Sequence, residues 1–288
     1  MFGRRKKRKQ KNIGKTLQIP KVEQEPVKVR FSGHTVSFKL GNAQHIGNRT
    51  QQEDSFGFSS LDNPSVLSEK GICAVLADGM GGLSNGREVS QSAVSSMLDY
   101  FFRMDFKRPL LPQFRTYVER INQNVCRTYS KDGKAGAGST FVTAVIFDNI
   151  LYWCSVGDSR LYLYRQGRMY QMNEDHDYKN RLLGQYIQGT GTLEEAMNNP
   201  QKDALTSYLG SRCLDEIDGN RRGFFLQNQD RIVLVSDGIY NALSDKEMAD
   251  RMEREPQDAC QRLIQDVLDK RISGQDNMTV MIVSYSGE

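Results

Sequence analysis

The chain of 288 residues has few cysteines and no long apolar segment. Its five cysteines are spread along the chain without a Cys-x-x-Cys pair, which argues against a zinc knuckle and against a disulfide framework. No apolar run reaches about 18 residues, and the basic N-terminus is not followed by a short apolar stretch, so neither a membrane span nor a signal peptide is predicted. From these absences we expect a soluble protein in a reducing, cytoplasmic compartment.

Positive charge is concentrated at one end of the chain. Residues 1–30 hold eleven Lys or Arg against two Glu, a net charge of +9, whereas the whole chain carries +4. The basic segment has too little apolar surface to offset the entropy lost on ordering, so we predict a disordered tail before one folded domain at residues 31–288. Three uses of the tail stay open: solubility, a contact with anionic lipid, or a contact with nucleic acid or an acidic partner.

Behind the tail, the spacing of apolar residues predicts strands and helices in groups. Strands are predicted at residues 34–41, 72–77, 140–147, 151–156, 161–164, 169–172, 224–226, 231–236 and 278–285. Helices are predicted at residues 89–101, 114–125, 193–197, 245–252 and 259–267. The four segments between residues 140 and 172 are expected to form one antiparallel meander. This order favours a two-sheet core covered by helix pairs over alternating βαβ units.

Four aspartates stand at the ends of predicted strands or in the turns beside them. They are Asp78 in LADGMGG, Asp158 in SVGDSR, Asp237 in VSDG and Asp276 in GQDNMTV. Mg²⁺ and Mn²⁺ prefer carboxylate, carbonyl and water oxygens, and sites for phosphate chemistry use few carboxylates. A single Asp-Gly is most often an ordinary turn, so only the whole set indicates a metal site.

Three residues upstream add to this set. Glu53 and Asp54 supply further carboxylates, and Arg49 stands four residues before Glu53, where a guanidinium can bind a phosphate through two hydrogen bonds. The glycine cluster in residues 79–86 lacks the GK[ST] ending of a P-loop and the GxGxxG spacing. A tight turn at the metal site is therefore a better interpretation of it than nucleotide binding.

The ordered combination RxxxED, DGMGG, GDSR, SDG and DN resembles the metal-dependent serine/threonine phosphatases of the protein phosphatase 2C type. The resemblance extends over residues 41–285. It implies an α+β fold, a four-layer α-β-β-α sandwich of two antiparallel β-sheets flanked by helix pairs. It also implies a bacterial form of the enzyme, a monomer that hydrolyses phosphoserine and phosphothreonine in phosphorylated proteins and opposes a serine/threonine kinase.

The same resemblance implies a centre of two Mn²⁺ or Mg²⁺ ions. The residue matching Asp78 bridges them, the carbonyl of Gly79 binds one, and Asp237 and Asp276 complete the other. Two ions sharing Asp78 would lower the pKa of a bridging water, which then attacks phosphorus in line without a covalent phosphoenzyme. Removal of the Asp78 carboxylate is therefore expected to abolish turnover.

Four more residues surround this implied centre. Glu53 and Asp54 are expected in or just behind the metal shell, and Asp158 is expected to help bind a third, weaker metal. Arg49 is expected to hold the substrate phosphate and to neutralise charge on its equatorial oxygens.

Two positions depart from the family pattern. Met80 stands where animal members have a histidine, so the general acid that protonates the leaving group is unassigned. His176 in EDHDYK matches the family's Asp-His pair, but it is followed by Asp177 in place of serine, and we expect a structural role for it. Residues 177–210 correspond to the variable flap beside the active site.

Two other functions stay open. The first is an inactive, regulatory phosphoprotein-binding module on the same fold, against which the intact set of Asp78, Asp237, Asp276 and Arg49 argues. The second is a metal-dependent hydrolase of small phosphoesters, which would share the site and differ in the flap.

Overall fold

The computed structural model describes residues 25–31, 33–59, 61, 64–80, 85–129 and 136–287. In these residues the strands are β1 (Val27–Phe31), β2 (His34–His45), β3 (Ser55–Phe58), β4 (Ile72–Ala77), β5 (Gly79–Met80), β6 (Gly138–Ser139), β7 (Phe141–Phe147), β8 (Ile150–Val156), β9 (Arg160–Arg165), β10 (Arg168–Gln171), β11 (Asp218–Gly219), β12 (Phe224–Phe225), β13 (Arg231–Val235) and β14 (Met278–Gly287). The helices are α1 (Pro64–Lys70), α2 (Gly86–Phe101), α3 (Leu110–Tyr129), α4 (Tyr178–Ile187), α5 (Leu193–Asn198), α6 (Asp237–Tyr240), α7 (Asp245–Ala249) and α8 (Pro256–Asp269). None of the helices in these ranges is long and apolar enough to cross a membrane.

Two antiparallel sheets form the centre of the molecule. The first has the strand order β1-β2-β14-β13-β9-β10, and the second has the order β11-β8-β7-β4-β3, with β12 also paired to β8. Helices α2 and α3 pack on the outer face of the second sheet, and α6, α7 and α8 pack on that of the first. The predicted four-layer sandwich is therefore confirmed.

The period-two pattern of the central strands explains the layering. In β4, Ile72, Ala74 and Leu76 point into the core between the sheets. The alternate residues Cys73 and Val75 pack under α2 and α3. A strand covered on both faces is apolar throughout, and for this reason the unbroken run at residues 72–77 predicts it well.

The beginning of the domain differs from the prediction. Strand β1 pairs with β2 and buries Val29 and Phe31, so the ordered domain starts inside the segment assigned to the tail. The boundary at residue 31 was wrong because the alternating Val27, Val29 and Phe31 are interleaved with the last basic residues of that segment. The rest of the predicted tail, residues 1–24, lies outside the described residues.

The predicted single meander over residues 140–172 is also wrong. Strands β7 and β8 pair in the second sheet, whereas β9 and β10 pair in the first. The chain changes sheets in the turn at residues 157–159, where Gly157 has a φ of +96° and a Cβ would lie 2.8 Å from Thr140 Cβ. Alternation shows which residues of a strand are buried but not which sheet the strand joins.

Candidate functional site

The strand register brings the predicted acidic residues to one end of the sandwich. In the second sheet, Ser55 opposes Ala77, so Asp54 and Asp78 stand side by side just beyond the pair. In the first sheet, Val235 opposes Val280, which places Asp237 near the start of β14. The site is therefore built from strand ends of both sheets, held on a fixed scaffold.

Asp54 connects the two sheets. Its side chain is buried, and Oδ2 accepts hydrogen bonds from Ser236 Oγ at 2.9 Å and from Thr279 Oγ1 at 2.6 Å. Its Oδ1 is buried without a hydrogen-bond partner. Burial raises the pKa of Asp54 to about 6. A buried carboxylate oxygen without a partner favours a positively charged ligand at this point.

Asp78 is fixed through its backbone. Its N–H donates to Thr140 Oγ1 at 2.9 Å, and its carbonyl accepts from Thr140 N–H at 2.8 Å and from Ser139 Oγ at 2.9 Å. Its carboxyl group lies close enough to those of Asp54 and Asp237 for their negative charges to act on it. Burial, followed by the neighbouring carboxylates, raises the pKa of Asp78 well above its usual value.

Asp237 and Asp276 have different environments. Asp237 begins α6, and its Oδ1 is buried without a hydrogen-bond partner. Burial raises the pKa of Asp237 to about 6. Asp276 accepts from Asn277 N–H at 2.7 Å through Oδ1 and from Arg49 Nη2 at 2.5 Å through Oδ2. The ion pair holds Arg49 beside the cluster while 56% of its side chain stays exposed, where a ligand can reach it.

Asp158 lies at the same end but has its own surroundings. Burial, with a further contribution from Asp237, raises the pKa of Asp158 to about 7, and Tyr240 lies beside its carboxylate. The Tyr240 ring packs against the guanidinium of Arg160, whose Cζ is 3.7 Å from the ring centroid. Asp158 is thus near the cluster, as predicted, with an aromatic side chain between it and Arg160.

The Gly79 and Glu53 segments are in close contact. Gly79 N–H donates to the carbonyl of Glu53 at 3.2 Å. A Cβ on Gly79 would lie 2.4 Å from the carbonyl oxygen of Gly86 and 2.5 Å from that of Glu53, so the position requires glycine. Burial raises the pKa of the Glu53 carboxyl, which faces the same region. Gly79 itself lies in strand β5, and residues 81–84, which make up most of the predicted tight turn, lie outside the described part.

The donor set fits divalent cations, although it is not arranged as a formed metal site. In the part of the chain that the structure describes, no three His, Cys, Asp or Glu side chains are arranged to hold a metal ion. Instead the carboxyl groups of Asp54, Asp78 and Asp237 lie close together, and their mutual repulsion disfavours ionisation of all three where no cation neutralises them. The unpartnered oxygens of Asp54 and Asp237 and the oxygen-only donors suit Mg²⁺ or Mn²⁺.

His176 is part of the scaffold. Its Nδ1 accepts from Gly157 N–H at 3.1 Å, and its backbone N–H donates to the Gly157 carbonyl at 3.0 Å. Burial lowers the pKa of the imidazole. These contacts agree with the structural role predicted for it and fix the turn that precedes Asp158.

The predicted flap is joined to the site at its base. It contains α4, which the sequence pattern missed, and α5, which it predicted. Leu209 forms two backbone hydrogen bonds with Ser139, whose hydroxyl holds the Asp78 carbonyl. The flap therefore lies beside the carboxylate cluster.

Several residues that build the site were not predicted as contributors. Ser236 and Asn277 adjoin predicted ligands, but the sequence pattern assigned them no role in the site. Their side chains in fact bond to Asp54 and to the segment that carries Arg49. Thr140 has no local signal, because it is far from Asp78 in the sequence.

Comparisons with known proteins agree with this geometry. A model of the protein phosphatase 2C family matches residues 42–274. Protein phosphatase PhpP of Streptococcus pneumoniae (serotype 2, strain D39) is 31% identical over 218 residues, which are 74% of this chain and 86% of PhpP. The serine/threonine phosphatase of S. agalactiae superposes with a TM-score of 0.71 at 28% identity, covering 85% of this chain and 98% of that one.

A fourth comparison concerns the fold. The catalytic domain of the serine/threonine protein phosphatase PstP, solved in complex with two manganese ions, has a TM-score of 0.68 at 24% identity and covers 87% of this chain and 99% of that one. The family model spans most of the described domain and includes the segments of Arg49, Asp78, Asp158 and Asp237. The chain therefore belongs to the protein phosphatase 2C family of serine/threonine phosphatases.

Proposed function

We propose that the protein hydrolyses phosphoserine and phosphothreonine monoesters in proteins, with divalent ions bound at the carboxylate cluster. The observation that carries the proposal is the group Asp54, Asp78 and Asp237, three buried or half-buried aspartates that lie close together without a cation from the protein, beside an exposed arginine. Such a group has little use in a scaffold, because burial of unpaired charge is costly.

The family pattern assigns the ligands. Asp78, the carbonyl of Gly79, Asp237 and Asp276 would hold two Mn²⁺ or Mg²⁺ ions, and Asp158 would hold a third. Glu53 and Asp54 would lie in or directly behind this shell. Bound there, the ions supply an activated water and neutralise charge on the phosphoryl oxygens. The two manganese ions in the PstP catalytic domain support this assignment.

The protein's own groups position the substrate. Arg49 presents a planar guanidinium that can bind two phosphoryl oxygens at once, and its ion pair with Asp276 orients it before the substrate arrives. A donor fixed in advance stabilises developing negative charge without reorganisation. Arg49 therefore acts on the phosphoryl group, while Asp54, with Ser236 and Thr279 on one oxygen, keeps the two sheets in register at the site.

A thiolate mechanism is not supported by the cysteines that the core contains. Cys73, Cys154 and Cys260 are buried, and burial raises the pKa of each thiol, to about 12 for Cys73. A protonated, inaccessible thiol is a poor nucleophile. We therefore assign the hydrolysis to a water activated at the acidic cluster and not to one of these thiols.

The substrate must come from a phosphoryl transfer to protein hydroxyl groups. We therefore propose that the enzyme reverses the product of a serine/threonine kinase. Hydrolysis of phosphopeptides in preference to small phosphorylated metabolites would support this substrate class. A clear preference for the small molecules would favour the alternative of a small-phosphoester hydrolase.

The proposal is tested by phosphate release from a phosphothreonine peptide with Mn²⁺, with and without EDTA. We expect EDTA to abolish turnover and Asp237→Asn to lower kcat/KM by at least about 100-fold, since it removes a ligand charge. Asp269→Asn, a change of the same type on the exposed end of α8, should leave it unchanged. Turnover that persists in EDTA, or none with any phosphopeptide, would contradict the proposal.

A further inference from the structure

Asn277 uses its whole side-chain amide on one neighbouring segment. Its Oδ1 accepts from Glu53 N–H at 2.7 Å, and its Nδ2 donates to the carbonyls of Ile46 at 2.9 Å and Gln51 at 3.0 Å. Only 4% of Asn277 is exposed. A buried amide with both its oxygen and its nitrogen satisfied fixes the groups that it contacts.

The segment held in this way is residues 46–53, which we call the Arg49 loop. It connects β2 to β3, so no sheet pairing fixes its backbone. The neighbouring Gln275 adds two hydrogen bonds to it, accepting from Asn48 N–H at 2.8 Å and donating to Asn48 Oδ1 at 3.0 Å. The loop is thus attached along its length to the residues just before β14.

Arg49 depends on this attachment for its place. Its N–H donates at 3.3 Å to the carbonyl of Ile46, the same oxygen that accepts from Asn277 Nδ2. Its side chain is more than half exposed and has one ion pair, with Asp276, to orient it. A small shift of the loop backbone would therefore move the guanidinium relative to the carboxylates.

We propose that Asn277 is a positioning residue for the phosphate-binding Arg49, which it serves by fixing the Arg49 loop against the start of β14. This inference rests on the proposed function, in which Arg49 binds the substrate phosphate. It assigns to Asn277 no contact with substrate, and it makes substrate affinity depend on a buried amide.

Asn220 provides a matched control elsewhere in the molecule. Its Oδ1 accepts from Trp153 N–H at 2.9 Å, and its Nδ2 donates to the carbonyls of Leu151 and Arg222. The same side chain therefore makes the same three kinds of hydrogen bond, two to β8 and one to Arg222, without contact with the Arg49 loop. Asn277→Ala and Asn220→Ala remove equivalent interactions and differ in what those interactions hold.

The experiment measures kcat and KM for a phosphothreonine peptide in Mn²⁺ for both variants, after circular dichroism has shown that they are folded. For Asn277→Ala we expect KM, and the inhibition constant of inorganic phosphate, to rise on the order of tenfold, while Asn220→Ala stays within about twofold of the unchanged enzyme. Asn277→Ser, which keeps one hydrogen-bonding group, should lie between them and serves if the alanine variant does not fold.

A double-mutant cycle separates positioning from general destabilisation. If Asn277 acts through Arg49, Asn277→Ala should add little to the KM of Arg49→Ala. Hydrogen exchange provides a second readout, in which the amide of Glu53 should lose protection in Asn277→Ala.

Equal KM values for the two alanine variants, or full additivity with Arg49→Ala, would overturn the inference. If the enzyme without any substitution hydrolyses no phosphopeptide, that result contradicts the proposed function itself. The two failures are therefore distinguishable.

Discussion

Aspartates are buried in two regions of this molecule, and the two regions neutralise them differently. Where β9 ends and β13 begins, Asp230 is 1% exposed and receives two hydrogen bonds from Arg165, at 2.8 and 2.6 Å. At the end of the sandwich, Asp54 is 4% exposed and receives hydroxyl groups from Ser236 and Thr279. The first aspartate has a countercharge from the protein, and the second has none.

This difference distinguishes the aspartates that stabilise the scaffold from those that form the candidate site. Asp175 resembles Asp230, because Arg160 binds both of its oxygens. Among the described residues, the basic side chains form no ion pair with Asp54, Asp78 or Asp237. A buried carboxylate without a cation must bind a proton or a metal ion, and the raised pKa values of the cluster express this need.

The largest expected effect is on turnover at the unpaired region. Asp78→Asn removes the carboxylate that lies beside those of both Asp54 and Asp237, and we expect kcat to fall by at least about 1,000-fold in saturating Mn²⁺. The metal-free variant should unfold at the same temperature as the parent or above it, because one of three mutually repelling charges is gone. Phosphopeptide assays and thermal denaturation in EDTA measure the two quantities. A large loss of stability without loss of kcat would show that Asp78 belongs to the scaffold and not to the site.

The paired region should respond in the opposite way. Asp230→Asn leaves Arg165 without its charged partner, and we expect the free energy of unfolding to fall by about 3 kcal/mol. Activity at 25 °C should stay within about twofold of the parent, because Asp230 lies at the opposite end of β13 from Asp237. Urea denaturation gives the stability, and an unchanged midpoint would show that the ion pair contributes nothing.

The smallest expected effect is the pH dependence of metal stabilisation. The folded pKa of Asp54 and of Asp237 is about 6, above the ordinary value for aspartate. The metal-free native state therefore binds protons more tightly than the unfolded state. The stabilisation that these two groups give the native state is lost as pH rises through about 4 to 7. Because cations need the ionised carboxylates, the Mn²⁺-induced rise in unfolding temperature should be at least about 4 °C larger at pH 7.5 than at pH 5. The same rise in unfolding temperature at both pH values would contradict the raised pKa values of Asp54 and Asp237.

The sequence predicts the layers well where burial leaves a clear pattern. The continuous apolar runs of β4 and β13 identify strands covered on both faces, and the aspartates after them mark the end where the site lies. The helix α6 escapes prediction because its four residues are too few to show helical periodicity. The short alternation in β1 is hidden by the charge of the preceding tail.

The parts of the site that could not be predicted are held by long-range hydrogen bonds. Thr140 contacts Asp78 from 62 residues away, and Asn277 contacts Glu53 from 224 residues away. A local pattern carries no information on such pairs, because the sheet register decides which strand ends meet. The acidic residues themselves were identifiable because each stands directly beside a strand or turn.

The central claim is that the unpaired carboxylates bind divalent cations and the paired ones do not. Calorimetric titration of the metal-free protein with Mn²⁺ at pH 7.5, with Asp78→Asn and Asp230→Asn beside it, tests this claim most directly. We predict that the parent and Asp230→Asn bind Mn²⁺ with the same affinity and that Asp78→Asn loses that binding. Undiminished Mn²⁺ binding by Asp78→Asn would contradict the account.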